Sequence, residues 1–467
     1  MTQPSISTLG ELRETGYQSR SVRDELRANL IENLRSQEPL FAGIFGYEDT
    51  VVPQLQNAIL AGHDIIMLGE RGQAKTRIAR SLTQLLDPWI PIVATSEVND
   101  DPLAPISHLG KTIVAEQGDA TPIEWVPRDR RFAEKLATPD TTVADLIGEV
   151  DPIKVAEGRY LSNEEIISFG LIPRTNRGIF NLNELPDLAE RIQVGLLNIL
   201  EEQDVQIRGF QVRLSIDIMV IASANPEDYT NRGRIITPLK DRFGSQIRTH
   251  YPGTVELENR IVDQERSHFT LPGIEVTMPA FMQDVVTEIS HHARRSPVVS
   301  QRSGVSVRMT VANTEVLIAN ASRRALRTGE SVAVPRISDL VAIFSSSMGK
   351  IEFETFGEGR DDDALERMIG EAIKSVFLKT VDPTLLEPLL TAFENGLTVT
   401  VSDSADAYSY VHQVSAVDSL GDVIGSLVTT SSPQESASAI EFVLEGLHQV
   451  RKVSRRSRGG NVTRYSI

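Results

Sequence analysis

Lys75 and Thr76 stand side by side at the end of a loop that begins at Gly69 and contains a second glycine, Gly72. An ammonium and a hydroxyl after a glycine-bearing loop are suited to holding phosphate oxygens and a divalent cation. The backbone N–H groups of Gly69, Glu70, Arg71, Gly72, Gln73 and Ala74, with the start of the following helix, receive the phosphate. Lys75 reaches the outer phosphates, and Thr76 ligates Mg²⁺. One position departs from the usual G-x-x-x-x-G-K-[ST] spacing: Ala74 stands where a second glycine is expected.

Phosphate binding is not hydrolysis. Hydrolysis also needs a group for the metal's water shell and one to orient the attacking water. The run Gly178-Ile179-Phe180-Asn181-Leu182 ends in Asn183-Glu184, where an Asp-Glu pair is expected. Glu184 can polarise water. Asn183 can accept a hydrogen bond from a metal-bound water but brings no negative charge. A third run, Ile216 to Ala222, leads to Asn225-Pro226. Asn225 suits contact with the attacking water and the γ-phosphate, although Asn-Pro taken alone is a turn. Arg242 and Arg308 follow, each ordinary as a surface ion-pair partner. Their order and spacing after the other motifs make them candidates for an arginine finger and a γ-phosphate sensor.

These groups need a scaffold. The apolar run over 63–68 predicts a buried strand, and Ile78, Ala79, Leu82, Leu85 and Leu86 predict a helix over 75–86. Further strands are expected at Trp89–Val93 (at an edge, given Pro91), Gly178–Asn183, Ile216–Ala222 and Gln246–Tyr251. Helices are expected at Arg23–Leu34, Asp49–Leu60 and Leu188–Glu202. Alternating strands and helices predict an α/β fold with a parallel sheet flanked by helices. Residues 95–176 read as irregular insertions. After Pro252 the pattern turns helical, at 254–269, 278–293, 310–328 and 335–349. The expected domains are an N-terminal helical segment (1–38), an α/β nucleotide-binding core (39–253), a helical lid (254–356) and a mostly helical C-terminal region (357–467). A linker is expected at Gly357–Asp363, and a solvated flexible end at the basic tail Arg451–Arg458.

Composition narrows the function. A chain of 467 residues with 40% hydrophobic content supports roughly two to four domains or subdomains. No apolar run reaches the ~18 residues of a membrane span, and the polar start has no signal-peptide core. With no cysteine, disulfides and thiolate metal sites are excluded, and the cytoplasm is the expected compartment. A net charge of -17 argues against non-specific nucleic-acid binding. The eight histidines are scattered, and the adjacent His291 and His292 make a poor ligand pair on a helix.

Over residues 40–350 these motifs resemble the AAA+ ATPases of the magnesium-chelatase I-subunit and MoxR branch. Ile44-Phe45-Gly46-Tyr47-Glu48-Asp49 looks like that branch's adenine-side segment, which implies nucleotide contact at Ile44 and Gly46. In that branch Ala before the loop lysine is common. Leu146–Asp151, Gly158 and Gly170-Leu171-Ile172 resemble an insertion of chelatase I subunits. Arg177–Glu184 looks like the second motif, Ala224-Asn225-Pro226-Glu227 like sensor 1, Asp241-Arg242-Phe243-Gly244 like the finger, and Gly304–Arg308 like sensor 2. The resemblance implies ATP and Mg²⁺, a homo-oligomeric ring, usually a hexamer, with ATP at subunit interfaces, and a partner carrying a von Willebrand A-type domain. Its function would be a motor for remodelling or metal insertion. Asn183 supports an alternative: a nucleotide-dependent scaffold with little hydrolysis. An enhancer-dependent transcription activator shares this core, but its Gly-Ala-Phe-Thr-Gly-Ala loop is absent.

Overall fold

The computed structural model describes residues 2–37, 40–151, 166–206, 213–225, 234–300, 304–354, 360–415, 417, 420–430, 432–457 and 462–467. Its contacts group into two compact units, Met1–His250 and Tyr251–Ile467.

Five parallel strands organise the first unit: β1 (Ile65–Leu68), β2 (Phe132–Leu136), β3 (Gly178–Asn183), β4 (Ile218–Ala224) and β5 (Ser245–Arg248). They lie in the order β5-β1-β4-β3-β2. Parallel strands joined by helical crossovers are buried on both faces, hence the unbroken apolar runs of β1 and β4. Successive side chains go to opposite faces. Ile66, Leu68, Phe180, Leu182, Val220 and Ala222 join one apolar cluster with Ile192, Leu196 and Ile199 of helix Glu190–Glu202. Ile65, Met67, Ile179, Met219 and Ile221 join the other, under helices Val22–Ser36 and Val51–Ala61. Ser21 caps the first of these helices through the Asp24 N–H.

Several expectations need correction. The stretch 95–176 is not merely irregular: it contains helix His108–Gln117 and strand β2, which closes one edge of the sheet. Trp89–Val93 is a strand, but outside the main sheet; it pairs antiparallel with Ile123–Pro127 in a two-stranded ribbon. The helix expected over 75–86 is α-helical only at Lys75–Ser81 and then tightens to a 3₁₀ turn, Leu82–Leu85. Gly158, the Pro226-Glu227 half of the sensor turn and residues 357–359 of the expected linker lie outside the described residues.

Helices dominate the second unit, among them Val255–Glu265, Ala280–Arg295, Val307–Thr328, Arg360–Thr380 and Pro433–Gln449. They enclose one apolar cluster running from Phe281 to Tyr465, in which Phe281 stacks on Phe442 at 4.6 Å between ring centres. The cluster holds Ile343 and Ile351 on one side of the expected linker and Ala364 and Leu365 on the other. Residues 360–363 open a helix rather than a linker. The basic tail is not a free end. Ser454–Ser457 and Val462–Ser466 form a three-stranded antiparallel sheet with Val399–Ser402, and Arg455 pairs with the buried Glu445 at 3.1 Å. The charged strand keeps Arg455 against a carboxylate and leaves Arg456 exposed to water. Among the described residues no helix is long and apolar enough to cross a membrane.

Candidate functional site

The loop after β1 leaves the sheet between the ends of β4 and β5. The Gly69 N–H bonds the Ala224 carbonyl at 3.1 Å, and the Thr249 N–H bonds the Leu68 carbonyl at 2.9 Å. Glycine is required at position 69: a Cβ there would stand 1.8 Å from Thr249 Oγ1 and 2.3 Å from Gln73 Oε1. Thr249 Oγ1 donates to Gln73 Oε1 at 2.7 Å, and the Tyr47 hydroxyl lies 3.0 and 2.8 Å from the Gln73 and His250 carbonyls. Burial pushes the Tyr47 phenol up to about 12, so it remains a donor at neutral pH. These contacts moor the middle of the loop to β5 and to the segment that carries Ile44 and Gly46.

Gly72 and Ala74 both take the left-handed conformation, at φ +76° and +56°. Ala74 precedes helix Lys75–Ser81 directly. A glycine would adopt this conformation freely, which is why one is expected there; alanine costs roughly 1–2 kcal/mol. The Lys75 ammonium is buried and donates to the carbonyls of Gly69 and Glu70, the latter at 2.9 Å. A buried cation needs such acceptors. Thr76 Oγ1 points across to Asn183 Oδ1 at 3.4 Å.

Asn183 ends β3 at the centre of a polar cluster. Its Oδ1 accepts from Ser223 Oγ at 3.1 Å, Asn181 Nδ2 at 3.3 Å and Thr76. Its Nδ2 donates to Glu134 Oε1 at 2.7 Å. Donors on one side and a carboxylate on the other set the amide's orientation. Asn181 Oδ1 is buried with no partner among the described residues. Glu184 turns the chain off the strand at φ +54°, ψ +47°, and its N–H donates to Ser223 Oγ at 3.4 Å. A non-glycine residue in this region marks stored strain, found most often at working sites. Asn225, also buried, follows the Ala224 whose carbonyl receives the first N–H of the loop.

The structure thus gathers the 69–76 loop, Asn183, Glu184 and Asn225 at the carboxyl ends of three neighbouring strands, where open α/β sheets bind ligands. Thr76 Oγ1 and Asn183 Oδ1 are oxygen donors of the kind Mg²⁺ accepts. Ile44 packs into the apolar core beside Phe41 and Tyr47, and Gly46 turns the chain at φ +81°. Arg242 ends helix Thr237–Arg242, and Glu201 grips its guanidinium at 2.8 and 3.0 Å. Arg308, in the second unit, is exposed in the first turn of helix Val307–Thr328; the helix begins earlier than the expected 310. Sequence reasoning missed Glu134. Its strand, Phe-Ala-Glu-Lys-Leu, has two charges in five residues and reads as a loop until it pairs with β3.

The Sigma-54 interaction domain family matches residues 155–242, a span that includes the second motif and Arg242. The magnesium-chelatase subunit ChlI of Bigelowiella natans is 26% identical over 198 residues, 39% of this chain and 48% of that protein. Its counterpart in Euglena gracilis is 25% identical over 226 residues, 45% of this chain and 58% of that protein. The chain spans about half the length of the curated relatives it matches. A solved complex of the magnesium-chelatase subunits BchI and BchD covers 69% of this chain and 98% of that chain, at 18% identity and a TM-score of 0.37, a likeness too loose to add weight. The matched residues and the parallel sheet agree: the chain has the α/β core of an AAA+ fold and resembles, at low identity and over part of its length, the I subunit of magnesium chelatase.

Proposed function

We propose that this chain hydrolyses ATP within a homo-oligomeric ring and uses the cycle to drive a partner protein. The observation that carries the proposal is the meeting of Lys75 and Thr76 with Asn183, Glu184 and Asn225 at adjacent strand ends. Lys75 exchanges its two loop carbonyls for phosphate oxygens. Thr76 and Asn183 would hold Mg²⁺ and its water shell, and the ion would neutralise phosphate charge. Glu184 takes up the proton of the attacking water, and Asn225 hydrogen-bonds that water and the γ-phosphate. Arg242, released from Glu201, serves the neighbouring subunit's site, a contribution of about 10³–10⁵ in rate. Arg308 reports the γ-phosphate from the helical unit. A partner with a von Willebrand A-type domain, and metal insertion or remodelling as output, fit the chelatase likeness.

The test is steady-state ATP turnover with Mg²⁺ beside Glu184→Gln and Lys75→Ala. Glu184→Gln should bind ATP and lose about 10²–10⁴ in turnover. Lys75→Ala should lose ATP binding. Wild-type affinity in Lys75→Ala would end the phosphate-loop assignment, and wild-type turnover in Arg242→Ala would end the trans finger. The neutral Asn183 favours a second reading, a nucleotide-gated scaffold. Tight ATP binding with turnover no higher than Glu184→Gln, even with partner present, would select it.

A further inference from the structure

We infer that Glu134 is a positioning residue of the metal site, supplying from the neighbouring strand the negative charge that Asn183 lacks; this rests on the nucleotide-site reading above. β2 and β3 pair in register, with Glu134 beside Asn181 and Leu136 beside Asn183. The side chains of Glu134, Asn181 and Asn183 therefore share one face of the sheet at its carboxyl end. Glu134 Oε1 takes the Asn183 N–H at 2.7 Å, the shortest bond of the cluster. That bond points Asn183 Oδ1 the other way, toward Thr76 and Ser223. An amide held by a carboxylate is polarised, and its oxygen becomes a better acceptor for a metal-bound water. Carboxylates that grip a metal ligand from behind act in this way in other metal sites.

Two further facts fit. Mg²⁺ keeps several waters and takes few protein ligands, so polar groups that bind its water shell, as Asn183 Oδ1 can, bear on its affinity. The other oxygen of Glu134 is bound by Arg80 Nε at 2.8 Å. Arg80 is largely exposed and lies on the helix that Lys75 and Thr76 begin. It tempers the carboxylate's charge and ties β2 to the phosphate-loop helix.

The arrangement has a consequence for Asn183→Asp. The new carboxylate would sit where the amide N–H now meets Glu134, and two carboxylates at that separation repel strongly. Restoring the usual motif in this chain therefore needs Glu134 neutralised as well.

The experiment is binding of a fluorescent ATP analogue to the full chain, first in EDTA and then across a Mg²⁺ titration. Glu134→Gln keeps an acceptor for Asn183 and removes the charge. It should leave binding in EDTA unchanged and raise the Mg²⁺ concentration for half-maximal enhancement by roughly 10–100-fold. Asn183→Asp alone should not lower the wild-type requirement. The double variant Glu134→Gln/Asn183→Asp should recover it, a non-additivity that a merely structural role would not give. Arg80→Ala should lower the requirement a few-fold. A wild-type Mg²⁺ requirement in Glu134→Gln, or simple addition in the double variant, overturns the inference. Lys75→Ala separates this failure from that of the underlying site: unaltered EDTA binding there removes the nucleotide site itself, and with it the role of Glu134.

Discussion

Glu258, in the second unit, has a donor at every turn. Arg294 donates to both of its oxygens at 2.6 and 2.9 Å, His291 to Oε2 at 3.1 Å and Thr310 to Oε1 at 2.5 Å. Arg294 in turn bonds the Val305 carbonyl at 2.8 Å and lies 4.4 Å from the centre of the Tyr251 ring. The Asn183 cluster of the first unit is slacker. Three of its bonds run from 3.1 to 3.4 Å, Asn181 Oδ1 has no partner among the described residues, and Ala74 and Glu184 take left-handed backbone conformations. One cluster is closed on itself; the other has hydrogen-bonding capacity left over. A closed buried network fixes the packing around it. An open, strained one persists where a ligand completes it.

The largest effect should come from opening the closed cluster. Glu258→Ala leaves the part-buried Arg294 and His291 without their anion, at roughly 3 kcal/mol, the low end of what breaking a buried pair costs. Denaturant unfolding should show the loss. Asn183→Ala, by contrast, should cost less, about 1.5–3 kcal/mol, because it removes one short bond to a carboxylate that Arg80 still holds, and three long ones. Equal losses in the two variants would erase the distinction between them.

Acid should act on the same contrast. Burial alone would raise the Glu258 pKa, but the hydrogen bonds of His291, Arg294 and Thr310 and the charge of Arg294 bring it down to about 2 from an ordinary 4.5. A depressed carboxylate contributes stability that is complete above its unfolded pKa and lost as pH falls through its folded pKa. The contribution, on the order of 3 kcal/mol, is therefore whole at pH 5 and gone near pH 2. The stability difference between wild type and Glu258→Gln should shrink across that window. A difference that stays constant from pH 5 to 2.5 would mean that the carboxylate's charge is not what the cluster uses.

The two regions also differed in how far the sequence disclosed them. Strand Gly178–Asn183 and the Gly69–Thr76 loop were legible because their chemistry is local: a buried apolar run, glycines, and Lys-Thr at fixed spacing. Glu134 was not, because β2 is defined by what it pairs with. The C-terminal sheet was hidden for the same reason. Val399–Ser402 and Val462–Ser466 are short, and the basic strand beside them reads as a solvated tail until Glu445 is brought to Arg455. Arg242 could be picked out by its place in the motif order, but not its grip on Glu201, 41 residues earlier. Long-range polar pairs leave no period in a sequence.

The smallest effect tests whether the strain in the open cluster is real. Ala74→Gly restores the usual loop residue at φ +56°. Two terms oppose. Relief of the left-handed alanine favours the folded state by roughly 1–2 kcal/mol, while the freer unfolded chain takes back about 0.4–1 kcal/mol. The Ala74 methyl also packs against the apolar cluster of Ile78 and Leu55, and its removal subtracts a little more. The balance is a gain of under about 1 kcal/mol in the first unit, read from its unfolding midpoint. ATP affinity should change little, because the N–H groups that meet phosphate are those of the backbone. A stability loss above about 0.5 kcal/mol would mean that the methyl's packing outweighs the strain; Ala74 would then be a packing residue first, and the left-handed turn would not distinguish this cluster from the one around Glu258.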